Sequence, residues 1–471
     1  MGIDNKLFTS EKISKAIFKL ALPITISLFV SELYNMVDTI FVGRYIGPSA
    51  IGALTVAFPI QRLLIALGLL IAVGTSTFMS RSLGEKNYKD LRKALITSLT
   101  TTFVVLTSVS FLIFIFRKPV ISALGASDML YPLAKDYILI ILIGGVFQCI
   151  SVVLSYVMTA FGNAKITLYS NSLGAVINII IDFILVAKFD MGIKGAAIAT
   201  VISQIIALLY VLYSFNKVKE IFAFTNLNET ATESNTSFKD EFKVGILFSI
   251  VSIGFSSFII EISDAIVAVL LNNLLYSHGG DDAIVIVGVI TKVSMFMFIT
   301  IIGISSAIQP IIAYNYGCSN TKRINEVLKV GGSYLMIASL GLWLILMIFA
   351  KGILGCFLTD SHLLSVAVNA FRICISILPS AGIYYMCIYY YQAINEARLS
   401  FLLSVYRQLV LFIPLAFILV KFMGITGAWI AYPVSDAISA LTSLYFMRKA
   451  RIDNKKASYK VSYRKSILNN Y

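Results

Sequence analysis

Six carboxylates stand inside long apolar runs of this chain: Glu32, Asp38, Asp182, Glu261, Asp264 and Asp436. Four bases, Arg62, Lys292, Arg372 and Arg407, do the same. An ionised side chain in hydrocarbon costs about 2.5–3.5 kcal/mol on insertion scales, so such residues face a protein interior or a wet cavity and mark ion or substrate paths. The structural alternative is a fixed ion pair, or a long side chain whose head reaches the interface. Asp38 lies in the most informative stretch, PITISLFVSELYNMVDTIFVGRYIG, from Pro23 to Gly47. Its proline lacks a backbone donor and should kink a helix, which makes Pro23 a candidate hinge.

The elements that must hold these residues are membrane helices. Of 471 residues, 58% are hydrophobic and only 13% charged, with a mean hydropathy of +0.87. A soluble domain carries about 25% charge. Open sheet edges and irregular backbone cannot face lipid, so the expected fold class is an all-α polytopic membrane protein. Twelve spans are expected, near 16–42, 49–73, 95–116, 134–158, 164–187, 192–216, 244–272, 283–310, 327–350, 363–388, 399–421 and 424–447. The first follows Lys6, Lys12, Lys15 and Lys19 and is too long for the core of a cleavable signal. Of the 38 lysines and arginines, 26 fall on the side of the N-terminus and 8 on the other. That asymmetry places both termini in the cytoplasm of a multi-pass cell-membrane protein. It also accounts for the net charge of +14 without nucleic acid as a partner.

Cys149, Cys318, Cys356, Cys374 and Cys387 are odd in number and show no paired spacing, which argues against a disulfide framework or a zinc site. His278 and His362 are read as loop residues far apart. No cofactor and no structural metal is expected, and the chain is expected to act as a monomer in contact with lipid.

The two halves are copies. GIKGAAIATVIS from Gly192 answers GITGAWIAYPVS from Gly424, with seven identities in twelve. SRSLGEKN answers AYNYGCSN, with Gly84 over Gly317, and VDTIFV around Asp38 answers SDAIVA around Asp264. The offset is shorter at the last pair, which fits a longer outer loop, YSHGGDD, after span seven. Repeats of six spans share one orientation, so two pseudo-symmetric six-helix lobes with a substrate site between them are expected. The expected domains are an N-terminal lobe over 1–216, a cytoplasmic loop over 217–243, a C-terminal lobe over 244–447 and a basic cytoplasmic tail over 448–471.

Depth along each span sharpens the acids. Asp38 falls in the outer third of span one and Asp182 at similar depth in span five. Tyr137 near the outer end of span four and Thr200 two turns into span six share that level. Asn178 precedes Asp182 by one turn and shares its face, as Tyr34 and Asn35 share that of Asp38. Two carboxylates with amide, phenol and hydroxyl partners suit a shared proton, or Na⁺ held by oxygen ligands. The C-terminal half offers Glu261, Asp264 and Asp436, with Lys292 and Arg372 as expected partners, as a second polar or substrate site. Glu32 is expected to contact Arg62. Tyr384, Tyr385, Tyr389, Tyr390 and Tyr391 read as an interfacial belt, with a cavity wall as the alternative.

These residues resemble the multidrug and toxic compound extrusion (MATE) family. The resemblance rests on Pro23 with VDTIFVG, SRSLGEKN after span two, GNAK and NIIID around span five, GIKGAAIAT, LLNNLL, GISSAIQPIIAYNYG and GITGAWIAYPVSD. It implies a V-shaped pair of six-helix lobes and antiport of small amphipathic organic cations against H⁺ or Na⁺. It also implies a cation-coupling site at Asp38, Tyr137, Asn178, Asp182 and Thr200, and a bending first helix at Pro23. Many bacterial members carry an acid where this chain has Phe161. Two other functions stand beside this one. A flippase for a lipid-linked sugar or cell-wall precursor would want a basic cavity. A membrane-embedded transferase would want an acid/base constellation near a loop, and neither histidine has such company.

Overall fold

The structure, a computed structural model, describes residues 5–216, 242–358 and 360–468. Among the described residues, eleven helices are long and apolar enough to cross a membrane. Spans one to six are Ile13–Tyr45, Ser49–Gly84, Tyr88–Ile115, Tyr131–Ala160, Lys165–Lys188 and Gly192–Asn216. Spans seven to eleven are Val244–Gly280, Asp282–Gly317, Thr321–Ile348, Ser361–Ala393 and Ala397–Met423. Span twelve belongs to the helix Ile425–Leu468. It is less apolar because Ser435, Asp436, Ser439 and Ser443 form a buried polar face at helical spacing. No strand occurs among the described residues.

The internal repeat is written into the turns. Gly47 and Gly280 (φ 109° and 61°), Lys86 and Ser319 (58° and 57°), Gly162 and Asn395 (86° and 65°), and Gly192 and Gly424 (57° and 58°) are paired left-handed residues at matching places in the two halves. After spans two and eight the same hydrogen bonds recur, Asn87 N–H to Ser82 O at 2.9 Å and Asn320 N–H to Asn315 O at 2.8 Å. Both asparagines then cap the next helix, accepting from Asp90 N–H and Arg323 N–H. The stretch YSHGGDD, expected as an outer loop, is instead helical up to the break at Gly280, so His278 sits on a helix.

Two compact units form: Met1–Ser10 with Ile26–Glu261, and Glu11–Thr25 with Ile262–Tyr471. They differ from the boundaries 1–216 and 244–447 expected from the repeat, because residues 244–261 pack into the first unit and residues 11–25 into the second. The cause is close helix crossing at glycine. A Cβ on Gly254 would stand 1.7 Å from Leu70 O, and one on Gly74 would stand 2.0 Å from Ile250 O, so spans two and seven touch backbone to backbone. In the second unit a Cβ on Gly303 would meet Thr25 Oγ1 at 2.2 Å. The expected loop over 217–243 lies almost wholly outside the described residues. The expected tail continues the helix of span twelve to Leu468.

Candidate functional site

The first unit gathers one polar cluster at the level of Asp38. Span one presents Tyr34 and Asp38 one turn apart, and span five presents Asn178 and Asp182 in the same way. Asp182 closes the regular part of span five, and a π-helical stretch, Phe183–Lys188, begins at the next residue. Such widened turns recur at functional sites. Span six contributes Thr200, span four Tyr137 and span two Gln61.

All five residues of the expected layer converge and are buried; Asp38 is 8% exposed and Asp182 1%. Tyr34 OH donates to Thr200 Oγ1 at 3.4 Å. Gln61 Nε2 donates to Tyr137 OH at 3.2 Å. With the amide turned to satisfy its neighbours, Asn178 Nδ2 donates to Asp182 Oδ2 at 2.8 Å and Asn178 Oδ1 accepts from Thr200 N–H at 3.2 Å. The carboxyls of Asp38 and Asp182 lie in this one buried cluster. Asp38 Oδ1 and Asp182 Oδ1 are buried with no hydrogen-bond partner, and none of the described ion pairs involves either residue. Two such acids with spare acceptor oxygens can take up one small cation and release it. Gln61 was missed in the sequence reading; its one signal there is polarity inside an apolar run, beside Arg62.

The remaining charges sort differently from expectation. Arg62 Nη1 pairs with Glu261 Oε2 at 3.1 Å within the first unit, and its guanidinium lies 4.9 Å from the Phe58 ring centre. Glu32 is therefore not the partner of Arg62, and Glu261 does not pair with Lys292 or Arg372. In the second unit Arg407 Nε donates to Asp436 Oδ1 at 2.8 Å, and Gln408 Nε2 donates to Asp264 Oδ1. Arg407 also lies against Phe298 and Tyr384. Lys292 and Arg372 are exposed, and Arg372 reaches the Met347 carbonyl at 3.3 Å. The expected set of Glu261, Asp264, Lys292, Arg372 and Asp436 thus does not assemble as one site. Asp264 and Asp436 are held instead by neighbours on span eleven.

The tyrosines are not a belt. Tyr384, Tyr385, Tyr390 and Tyr391 are buried, and Tyr384 OH donates to Leu403 O at 3.1 Å. Tyr384 lies against Arg407 and Tyr391 OH donates to Phe446 O at 3.2 Å, interior places that hydropathy along the chain cannot distinguish from an interface. Phe161 is buried at the turn that closes span four. None of the five cysteines is joined in a disulfide.

Known proteins resemble this chain over nearly its whole length. The MatE family model matches residues 23–184 and 252–418. The multidrug export protein MepA of Staphylococcus aureus (strain bovine RF122 / ET3-1) is 26% identical over 451 residues, covering 94% of this chain and 95% of the relative. MepA of Staphylococcus haemolyticus (strain JCSC1435) is 25% identical over 450 residues, covering 95% and 96%. Among solved structures, a MATE protein in complex with MaL6 superposes with a TM-score of 0.87 at 23% identity, over 96% of this chain and 99% of that one. A MOP superfamily transporter from Pyrococcus furiosus Vc1 (DSM3638), described as having a binding pocket of reverse polarity, superposes with a TM-score of 0.85 at 22% identity, over 96% and 98%.

Proposed function

The chain belongs to the MatE family of transporters, and from that premise we propose that it is a secondary antiporter that exports amphipathic organic cations in exchange for H⁺ or Na⁺. One observation supports the ion half of this reading: the buried carboxyls of Asp38 and Asp182 stand outside every described ion pair, each with an unpartnered oxygen. The names of the MepA relatives support the export half.

The exchange follows from charge. A buried pair of acids tolerates one neutralising cation and resists standing empty. Ion uptake at Asp38 and Asp182 removes the negative charge that would hold an organic cation; ion release restores it. Substrate and ion compete for the same charge, so coupling needs no distant relay. Asn178 and Thr200 fix the orientation of Asp182, and Tyr34 ties span one to span six through Thr200. The count of lysines and arginines assigns both termini to the cytoplasm of the cell membrane, so export runs toward the Asp38 end of span one.

The test is efflux of an organic cation from everted vesicles, driven separately by a pH gradient and by a Na⁺ gradient. Asp38→Asn and Asp182→Asn should each abolish gradient-driven transport while the protein still reaches the membrane. Full transport by either variant would refute the assignment.

A further inference from the structure

The second unit holds a buried arginine whose hydrogen-bonding capacity is largely unused. Arg407 lies in the π-helical stretch Tyr406–Phe412 of span eleven, a widened turn of the kind that recurs at functional sites. It is 6% exposed, and Asp436, its acid, 1%. Arginine and carboxylate commonly meet through two parallel bonds. Here one bond forms, from Arg407 Nε to Asp436 Oδ1 at 2.8 Å, and Asp436 Oδ2 is buried with no hydrogen-bond partner. Both terminal amino groups of the guanidinium donate to none of the described residues. They are not sealed in as Asp436 Oδ2 is. The guanidinium lies 5.4 Å from the Phe298 ring centre and 5.7 Å from that of Tyr384. The next residue, Gln408, reaches span seven: its Nε2 donates to Asp264 Oδ1, and its Oε1 is buried without a partner. Asp264 is exposed midway along its span. A carboxylate at that depth faces a wet cavity and not lipid, so the cluster is open to solutes on its Asp264 side.

A fixed ion pair that joins spans eleven and twelve is the plainer role for Arg407 and Asp436, and two observations oppose it. A buried pair kept for stability needs its remaining donors and lone pairs satisfied, and here both partners have unused atoms. The internal repeat is the second. In the register set by Gly84 over Gly317, Gly162 over Asn395 and Gly192 over Gly424, the first half has Ile65, Ser151, Gly174 and Gln204 where the second has Phe298, Tyr384, Arg407 and Asp436. The same six-helix design packs without the arginine, its acid or its two rings.

We propose that Arg407 receives the carboxylate of an aromatic zwitterion whose cationic amine is held at Asp264. The proposal rests on the export reading above and adds a substrate class, compounds that carry an acid as well as an amine. The two unused amino groups of a planar guanidinium offer a carboxylate a fork of N–H donors. Phe298 and Tyr384 supply apolar faces for the ring that bears the acid. Gln408 Oε1 is a ready acceptor for an N–H or hydroxyl of the ligand between the two charged ends. A simple organic cation can use Asp264 but leaves the desolvated guanidinium unanswered. The site therefore discriminates between an acid and its ester.

The test compares two dyes on the full chain in lipid nanodiscs: rhodamine 110, an aromatic zwitterion with a free carboxylate, and rhodamine 123, its methyl ester. Binding is read by fluorescence anisotropy. The native protein should bind rhodamine 110 at least as tightly as rhodamine 123, despite the lower net charge of the acid. Arg407→Lys keeps a cation beside Asp436 but loses the planar fork. It should lower the ratio of rhodamine 110 affinity to rhodamine 123 affinity by about tenfold. If the lysine variant does not fold, Arg407→Leu combined with Asp436→Leu, which strands no charge, is read by the same ratio. An unchanged ratio would overturn the proposal, whether both affinities hold or fall together. So would a native preference for the ester of about tenfold or more. Binding is read without a gradient, so the two readings fail separately. Undiminished transport by Asp38→Asn refutes the exchange reading; an unchanged affinity ratio at Arg407 refutes only the carboxylate subsite.

Discussion

Asn178 and Asp182 stand one turn apart on span five, and the Asn178 amide joins Asp182 Oδ2 at 2.8 Å to the Thr200 backbone N–H at 3.2 Å. One side chain therefore serves the acid and ties span five to span six. Asn178→Leu conserves volume, removes a donor to a buried carboxyl and leaves that oxygen unpaired, a loss of about 1–3 kcal/mol. Gradient-driven transport should fall by about tenfold or more, with a lowered melting temperature in detergent. Asn178→Ser should recover part of both. Native transport by the leucine variant would mean that Asp182 needs no orienting donor.

In the proposed exchange Asp38 and Asp182 hold one ion, so their effects should not add. Residues that work as a unit lose nearly everything at the first substitution. The double variant Asp38→Asn with Asp182→Asn should be no worse in ethidium efflux than either single variant. Additive losses would show two independent ion sites.

The buried pair of Arg407 and Asp436 makes the opposite kind of prediction, one about stability. Removing one partner strands a charge and costs about 3–5 kcal/mol, whereas replacing both with apolar residues is often neutral. Arg407→Leu should depress the melting temperature sharply. Arg407→Leu combined with Asp436→Leu should restore much of it. A double variant as unstable as the single one would show that Asp436 is held chiefly by other groups.

These pairings mark where sequence reading stops. Spans, turns and the repeat are local or periodic features, so they are legible in hydropathy and in motifs such as GIKGAAIAT. The layer of Asp38, Tyr137, Asn178, Asp182 and Thr200 is legible because depth in a membrane is a one-dimensional coordinate that topology supplies. Rotation about each helix axis is not. Arg62 finds Glu261 across 199 residues of sequence because Gly74 and Gly254 let spans two and seven cross. Glu32 is nearer in sequence, yet the partner of Arg62 is Glu261. The tyrosines of span ten misled for the same reason: an aromatic cluster near a helix end suits a belt until neighbouring helices cover it.

The glycine crossing itself can be tested against an internal control. Gly254→Ala puts a methyl group 1.7 Å from the Leu70 carbonyl oxygen, a backbone atom that cannot swing aside. Overpacking of this kind costs about 1–3 kcal/mol. Gly174→Ala meets nothing closer than 3.5 Å and gains helix propensity of up to about 1 kcal/mol. The first variant should melt below the native protein and the second at or above it. Equal melting temperatures would mean that spans two and seven separate without cost.

Pro23 lies inside the helix Ile13–Tyr45, two residues before the point where the chain passes from one compact unit to the other, between Thr25 and Ile26. Proline withholds the hydrogen bond to the carbonyl four residues earlier, that of Lys19, and crowds it. The helix is thus weakest where it changes partners, which favours Pro23 as the place where span one bends during transport. Pro23→Ala restores the missing donor and stiffens that turn. It should leave ethidium binding and the melting temperature at or above native values and slow gradient-driven transport by about tenfold. A variant that transports at the native rate would remove Pro23 from the cycle and leave it as a packing feature of span one.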